Sequence, residues 1–198
     1  RSSSAASDVY KRQAKNIVKA RAEKKITKTN ELVKIIEKSK KKNFSKKINP
    51  CTKTFQALRI FVNKEITELV NGIISATKLL RPGGKILIVS FHSIEDKIVK
   101  YFFTNYAKNK SKPSRYLPEE NFNHSHLFEN YNKKIIKPSI NELNKNNASR
   151  SAKLRFAIRS NDKFFLPSNI FEKFKKYLNV ETTNCLLYTS DAADEERG

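Results

Sequence analysis

The chain has 198 residues, room for one domain with a buried core, and its 41 Lys and Arg against 19 Asp and Glu give a net charge of +22. That excess points to a polyanionic partner, nucleic acid ahead of an anionic membrane surface, with an AT-rich genome as the alternative account of part of the Lys content. No run approaches the roughly 18 apolar residues needed to span a bilayer, no start resembles a signal peptide, and Cys51 and Cys185 lack the spacing of a disulfide framework or zinc site. A cytoplasmic protein is the expectation. The two ends, residues 1–13 and 181–198, carry no apolar period and read as adaptor sequence. They hold more acid than base, so the basic character belongs to the body.

Residues 14–48 are helical in pattern and very basic, with fifteen Lys or Arg against three Glu between Lys11 and Lys47. Ile17, Val18 and Ala22 make a sparse apolar stripe, and Leu32, Val33, Ile35 and Ile36 a second. Thr29 and Asn30 offer the second helix a start, and Lys38–Lys42 end it. Such a pair suits phosphate neutralisation, with a solvated helix face as the alternative. Lys46–Thr54, with Asn49-Pro50 inside it, reads as a linker.

From Thr54 the period predicts one long amphipathic helix through Leu80, with Leu58, Phe61, Ile66, Val70, Ile73 and Thr77 on its apolar face. Pro82 stops it, Gly83-Gly84 turn the chain, and Ile86–Val89 is a strand expected to be interior and parallel. Ser93, three residues before Asp96, caps a second helix carrying Ile98, Val99, Phe102 and Tyr106. Helix, strand and helix with short links is the grammar of a parallel α/β sheet, in which ligands sit beyond the carboxyl ends of the strands. Here that place is Ser90-Phe91-His92-Ser93. A loop of about 25 residues follows. Its Tyr116, Phe122, Phe128 and Tyr131, interleaved with Lys112 and Arg115, suit stacking on unpaired bases. His124 and His126 lack a third ligand, and no metal is expected. Lys133–Lys137 is a short strand candidate, and Ser139 caps a brief helix. Lys153–Arg159 alternates as an amphipathic strand at the end of the sheet, its basic face open to RNA or serving only to protect an edge. Phe164–Asn179 closes with an amphipathic helix.

The stretches TKTFQALRIFVN, LLRPGGKILIVSFHSIEDKIVKYFF and ASRSAKLRFAIR resemble the bacterial ribosomal RNA small subunit methyltransferase H family, in order and spacing, over most of Ala14–Arg159. The resemblance implies an α/β fold: the C-terminal part of a Rossmann-like methyltransferase sheet at 49–160, preceded by the end of a helical insert domain at 14–48 and followed by a C-terminal helix at 161–180. It implies transfer of a methyl group from S-adenosylmethionine to N4 of a cytidine in the decoding centre of 16S rRNA, with the small ribosomal subunit as partner.

Only four glycines are present, Gly72, Gly83, Gly84 and Gly198, and none forms the glycine-rich loop that lets a nucleotide-like cofactor approach the backbone. No cofactor-binding residue is therefore expected in this chain, and the isolated polypeptide should be inactive. His92 and Asp96 are the candidate catalytic residues, His92 to take a proton and Asp96 as a nearby acceptor. Gln56, Arg59, Ser90, Phe91, Ser93, Arg150, Ser151 and Lys153 are candidates for binding substrate. Two other readings stay open: a noncatalytic basic RNA-binding protein, and an amino-methyltransferase acting on another nucleic acid.

Overall fold

A computed structural model describes residues 2–39, 51–108 and 125–194, and the side chains among them at 11–39, 51–108 and 125–182. Lys40–Lys47, Asn49, Pro50, Lys112, Arg115, Tyr116, Phe122 and His124 lie outside the described residues, as does the Cys185 side chain. The chain forms two units, Arg1–Asn63 and Lys64–Gly198.

The first unit contains α1 (Ser2–Glu23), α2 (Thr29–Lys38) and α3 (Cys51–Val62). Ile36 of α2 is fully buried and Gln13 of α1 nearly so. Asn16 Nδ2 donates to Ser39 Oγ at 2.8 Å, and Ser39 Oγ donates to the Ile35 carbonyl at 2.9 Å. The Glu31 carboxylate accepts the Thr27 and Lys28 amide N–H groups at the start of α2, and these bonds hold its pKa below the usual glutamate value. Thr54, where the helical period was expected to begin, lies inside α3, which already runs from Cys51. Its hydroxyl donates to Gln13 Oε1 at 3.5 Å. Val18 and Ala22 are exposed, so the expected stripe on α1 is narrower than the sequence suggests.

The single long helix predicted from Thr54 to Leu80 is two. Lys64 adopts a left-handed backbone, φ 51°, and a new helix α4 (Glu65–Leu79) begins behind it. Glu65 and Glu68 in its first turn favour a helix start. Glu181 completes it: one oxygen accepts the Ile66 N–H at 3.0 Å, and the other accepts the Thr67 N–H and hydroxyl at 2.9 and 2.5 Å. Glu181 is nearly fully buried, although it lies in the tail that the sequence reading set aside. It belongs to α7 (Asn169–Asp194), a longer closing helix than the one predicted, whose Ile170 and Phe174 are buried.

Gly83, φ 76°, turns the chain after α4. A side chain at Gly84 would meet the Arg81 carbonyl at 2.8 Å, so glycine is needed for close approach. The turn is tied to the end of β3 (Lys153–Arg159): Gly83 N–H donates to the Arg159 carbonyl at 3.0 Å, and Arg159 N–H to the Gly84 carbonyl at 2.8 Å.

Among the described residues the sheet has three strands in the order β1 (Lys85–Ser90), β3, β2 (Phe128–Tyr131). Both outer strands pair antiparallel with β3, so they run parallel to each other. Among the described residues β1 is therefore an outer strand with an antiparallel neighbour, not an interior parallel one, and β3 is central rather than at the end. β2 lies in what the sequence presented as loop. The Lys133–Lys137 candidate contributes a single bridge, Ile136 to Leu154. α5 (Ser93–Tyr106) packs against all three strands. Under it lie Ile86 and Ser90 of β1 and Arg155, Ala157 and Arg159 of β3. Phe102, Phe103 and Tyr106 cluster with Phe128, at ring separations of 5.2 to 6.3 Å. Phe128 is thus core and closed to bases. Burial pushes the Tyr106 phenol above its ordinary pKa. The opposite sheet face is apolar and open, with Leu87 61% and Val89 54% exposed. Ser139 caps α6 (Ile140–Lys145) by accepting the Glu142 N–H, as its sequence position predicts, and a 3-10 turn, Asn147–Ser151, leads into β3. Among the described residues no helix is long and apolar enough to cross a membrane.

Candidate functional site

The carboxyl end of β1 brings together most of the predicted site. Ser90 Oγ donates to the Lys153 carbonyl at 3.4 Å, which sets the tetrapeptide after β1 beside the start of β3. Phe91 is 55% exposed, with its ring open to solvent. Ser93, Arg150 and Ser151 are exposed, and Lys153 is half-buried. Gln56 and Arg59 belong to α3 in the first unit, Gln56 half-buried and Arg59 exposed.

The helix cap stands one residue away from its predicted place. His92, not Ser93, is the N-cap of α5: the Glu95 N–H donates to His92 Nδ1 at 3.3 Å. Glu95 Oε2 closes the box by accepting the Phe91 and His92 N–H groups at 2.8 and 3.2 Å. An imidazole nitrogen can fill the role of a serine oxygen because its lone pair lies in the ring plane, and that was the signal missed. With Nδ1 accepting, the ring proton belongs on Nε2. Nε2 faces Glu95 Oε1 at 3.2 Å and Glu65 Oε2 at 3.9 Å. Glu65 and Glu95 were absent from the sequence-predicted site.

Moving the cap by one residue leaves Asp96 with other partners. Arg155 Nε donates to Asp96 Oδ1 at 2.7 Å, and Lys153 Nζ stands 3.6 Å from Oδ2. Burial works to raise the Asp96 pKa. The hydrogen bond and charge of Arg155, with Lys153, outweigh it and hold the carboxyl below the usual aspartate range. Arg155 also reaches the Lys133 carbonyl at 3.5 Å. Arg159 donates to the carbonyls of Leu127, Ser160 and Asp162 and to Ser160 Oγ, and that hydroxyl donates to the His126 carbonyl. Both β3 arginines are nearly fully buried. These two arginines point into the domain and are not available to RNA, because a central strand under α5 has no solvent on that side, whereas Lys153 at the start of the strand is only half-buried.

Residues 4–160 match the sequence pattern of the MraW methylase family. The chain belongs to that family. It is 46% identical over 148 residues to the ribosomal RNA small subunit methyltransferase H of Ehrlichia chaffeensis, covering 74% of this chain and 46% of that protein. The proteins of the same name from Xanthobacter autotrophicus and Agrobacterium fabrum are 43% and 42% identical, over 75% of this chain and 42% and 43% of theirs. The chain spans less than half the length of these relatives.

Proposed function

We propose that the protein is an S-adenosylmethionine-dependent rRNA methyltransferase acting on N4 of a cytidine in the decoding centre of 16S rRNA. In this reading the chain contributes surface that meets RNA, and the protein works in the cytoplasm on the small ribosomal subunit. The observation that carries the reading is the 46% identity over 148 residues to a protein whose name states a small-subunit rRNA methyltransferase. A Rossmann-like sheet is supported by two outer strands running parallel around an antiparallel third, and by the open apolar face of β1, a surface that invites a further layer.

The described residues do not fit the cofactor. Gly72 lies within α4 and Gly83-Gly84 precede β1, so no described strand runs into a glycine-rich loop. The residues themselves suit RNA handling. A cytosine amino group is a poor nucleophile, and the base must be unstacked and oriented before that nitrogen can react. Phe91 offers an aromatic face for such a base, while Arg150, Ser151 and Lys153 offer donors to a phosphate. Gln56 and Arg59 are candidate contacts from α3. His92 and Asp96 act by position: Nδ1 of one accepts the cap hydrogen bond, and the oxygens of the other are engaged by Arg155 and Lys153. Asp96 steadies Lys153 beside the carboxyl end of β1.

The test is mass spectrometry of 16S rRNA from a strain lacking the gene. N4-methylcytidine should disappear, return with the full-length gene, and return only in part with its Phe91→Ala form. An unchanged level in the deletion strain would refute the assignment, and a lost mark on another nucleic acid would favour the wider amino-methyltransferase reading. Calorimetry on the 198-residue chain should detect no S-adenosylmethionine binding, and micromolar affinity would show that the cofactor site is here after all. The exposed lysines of α1 and α2 favour a second reading, a noncatalytic RNA binder, for which deletion would leave the methylation intact while the chain still bound RNA.

A further inference from the structure

Three ligand-type groups converge where two helices begin. Glu65 opens α4, His92 caps α5 and Glu95 lies in the first turn of α5. One donor atom from each lies within 4.8 Å of the others. Carboxylates at helix starts are common for reasons of capping and dipole, so the two glutamates alone would say little. The imidazole is the second observation. The His92 side chain is only 7% exposed, and its Nε2 is buried, aimed at the carboxylates, and without a hydrogen bond of acceptable geometry. A tetrahedral ion with bonds of 2.0 to 2.1 Å spaces its donors about 3.4 Å apart. The separations from Nε2, 3.2 and 3.9 Å, lie on either side of that value.

We propose that Glu65, His92 and Glu95 form a binding site for a borderline divalent cation of the first transition row, with zinc the best match to one imidazole and two carboxylates. This departs from the sequence expectation of no metal, which weighed Cys51, Cys185, His124 and His126. The site does not depend on the methyltransferase reading. Glu95 ligates through Oε1 while its Oε2 keeps the Phe91 and His92 N–H groups. The ion takes the place of the proton on Nε2, and that proton is carried on Nδ1. Nδ1 then gives up the Glu95 N–H, the longest of the three cap bonds at 3.3 Å. Asp96 stays outside the site because Arg155 and Lys153 hold its oxygens. The ion ties the first turn of α4 to the first turn of α5 and fixes the segment that carries Phe91.

The experiment is calorimetric titration of the chelator-stripped 198-residue chain with zinc chloride, with thermal unfolding and cobalt absorption as companion readouts. One zinc should bind per chain with micromolar affinity, raise the unfolding midpoint, and be replaced by cobalt with the visible bands of a tetrahedral site. Glu65→Gln leaves the His92–Glu95 cap in place, so circular dichroism should match the parent, while zinc affinity should fall at least 10-fold and the midpoint shift at a fixed zinc concentration should shrink. A chain with Cys51→Ser, Cys185→Ser, His124→Asn and His126→Asn should bind as the parent does. Absence of saturable binding up to millimolar zinc would overturn the site. So would affinity unchanged by Glu65→Gln, or binding lost in the fourfold variant.

Discussion

The basic residues of α1 and of β3 carry the same charge and do opposite things. On β3, Arg155 and Arg159 are buried, one against Asp96 and a carbonyl, the other against a set of carbonyls and a hydroxyl. On α1, Lys11, Lys15 and Lys19 are exposed at steps of four, which places like charges side by side on one helix face. The fold consumes the first set and gains nothing from the second. A net charge therefore does not identify a binding surface. A cation in the core under α5 is part of the fold, and the cations with no structural task are those left for a polyanion.

The comparison breaks first at Arg155. If that arginine is structural, Arg155→Ala leaves the Asp96 carboxylate partly buried without its main partner, at a cost of roughly 3 kcal/mol. Urea denaturation should show the loss, and a change under about 0.5 kcal/mol would return the strand to the RNA-binding surface. Glu181→Ala comes next. It leaves the Ile66 and Thr67 N–H groups at the start of α4 without their cap, at a cost of about 1 to 2 kcal/mol in the same measurement.

Acid sharpens the pairing of Asp96. Its folded pKa lies below its ordinary value of 3.8, so the stabilisation it gives is complete above that value and is lost as pH falls through the lower, folded one. The parent should lose more stability than Asp96→Asn between about pH 5 and pH 2, so the gap between their urea midpoints narrows toward acid. A constant gap would mean that the carboxylate does not titrate with folding.

Local pattern carried much of this fold and missed what long-range partners decide. The Gly83-Gly84 turn, β1, α5 and β3 stand where period and turn chemistry put them. The split of the long helix was half visible in Glu65 and Glu68, but the group that completes the second start is Glu181, more than a hundred residues away. β2 was hidden because Phe128 is buried by packing on α5 rather than by alternation within its own strand. Alternation along Lys153–Arg159 correctly marked two faces. It could not say which one was inside, since the arginines become interior only through Asp96 and the carbonyls of other segments. The Ser90-Phe91-His92-Ser93 stretch was legible as a strand end. The Glu65 contribution was not, because nothing in the spacing of Glu65 and His92 announces that two helix starts meet.

The smallest effect on stability belongs to the exposed row. Replacing Lys11, Lys15 and Lys19 with alanine removes two repulsive pairs, each worth about 0.2 to 0.5 kcal/mol, and substitutes the best helix former. The triple variant should be as stable as the parent or slightly more so. If the row faces RNA, its cost appears elsewhere: affinity for a small-subunit rRNA fragment should drop, and the slope of log affinity against log salt should flatten by about 2 to 3 as three phosphate contacts are lost. The same salt series on Arg155→Ala should keep the parental slope, because that guanidinium already has its anion inside the protein. Equal slopes for all three chains would show that the α1 lysines are only a solvated face. The distinction between fold cations and binding cations would then have to be sought on other residues.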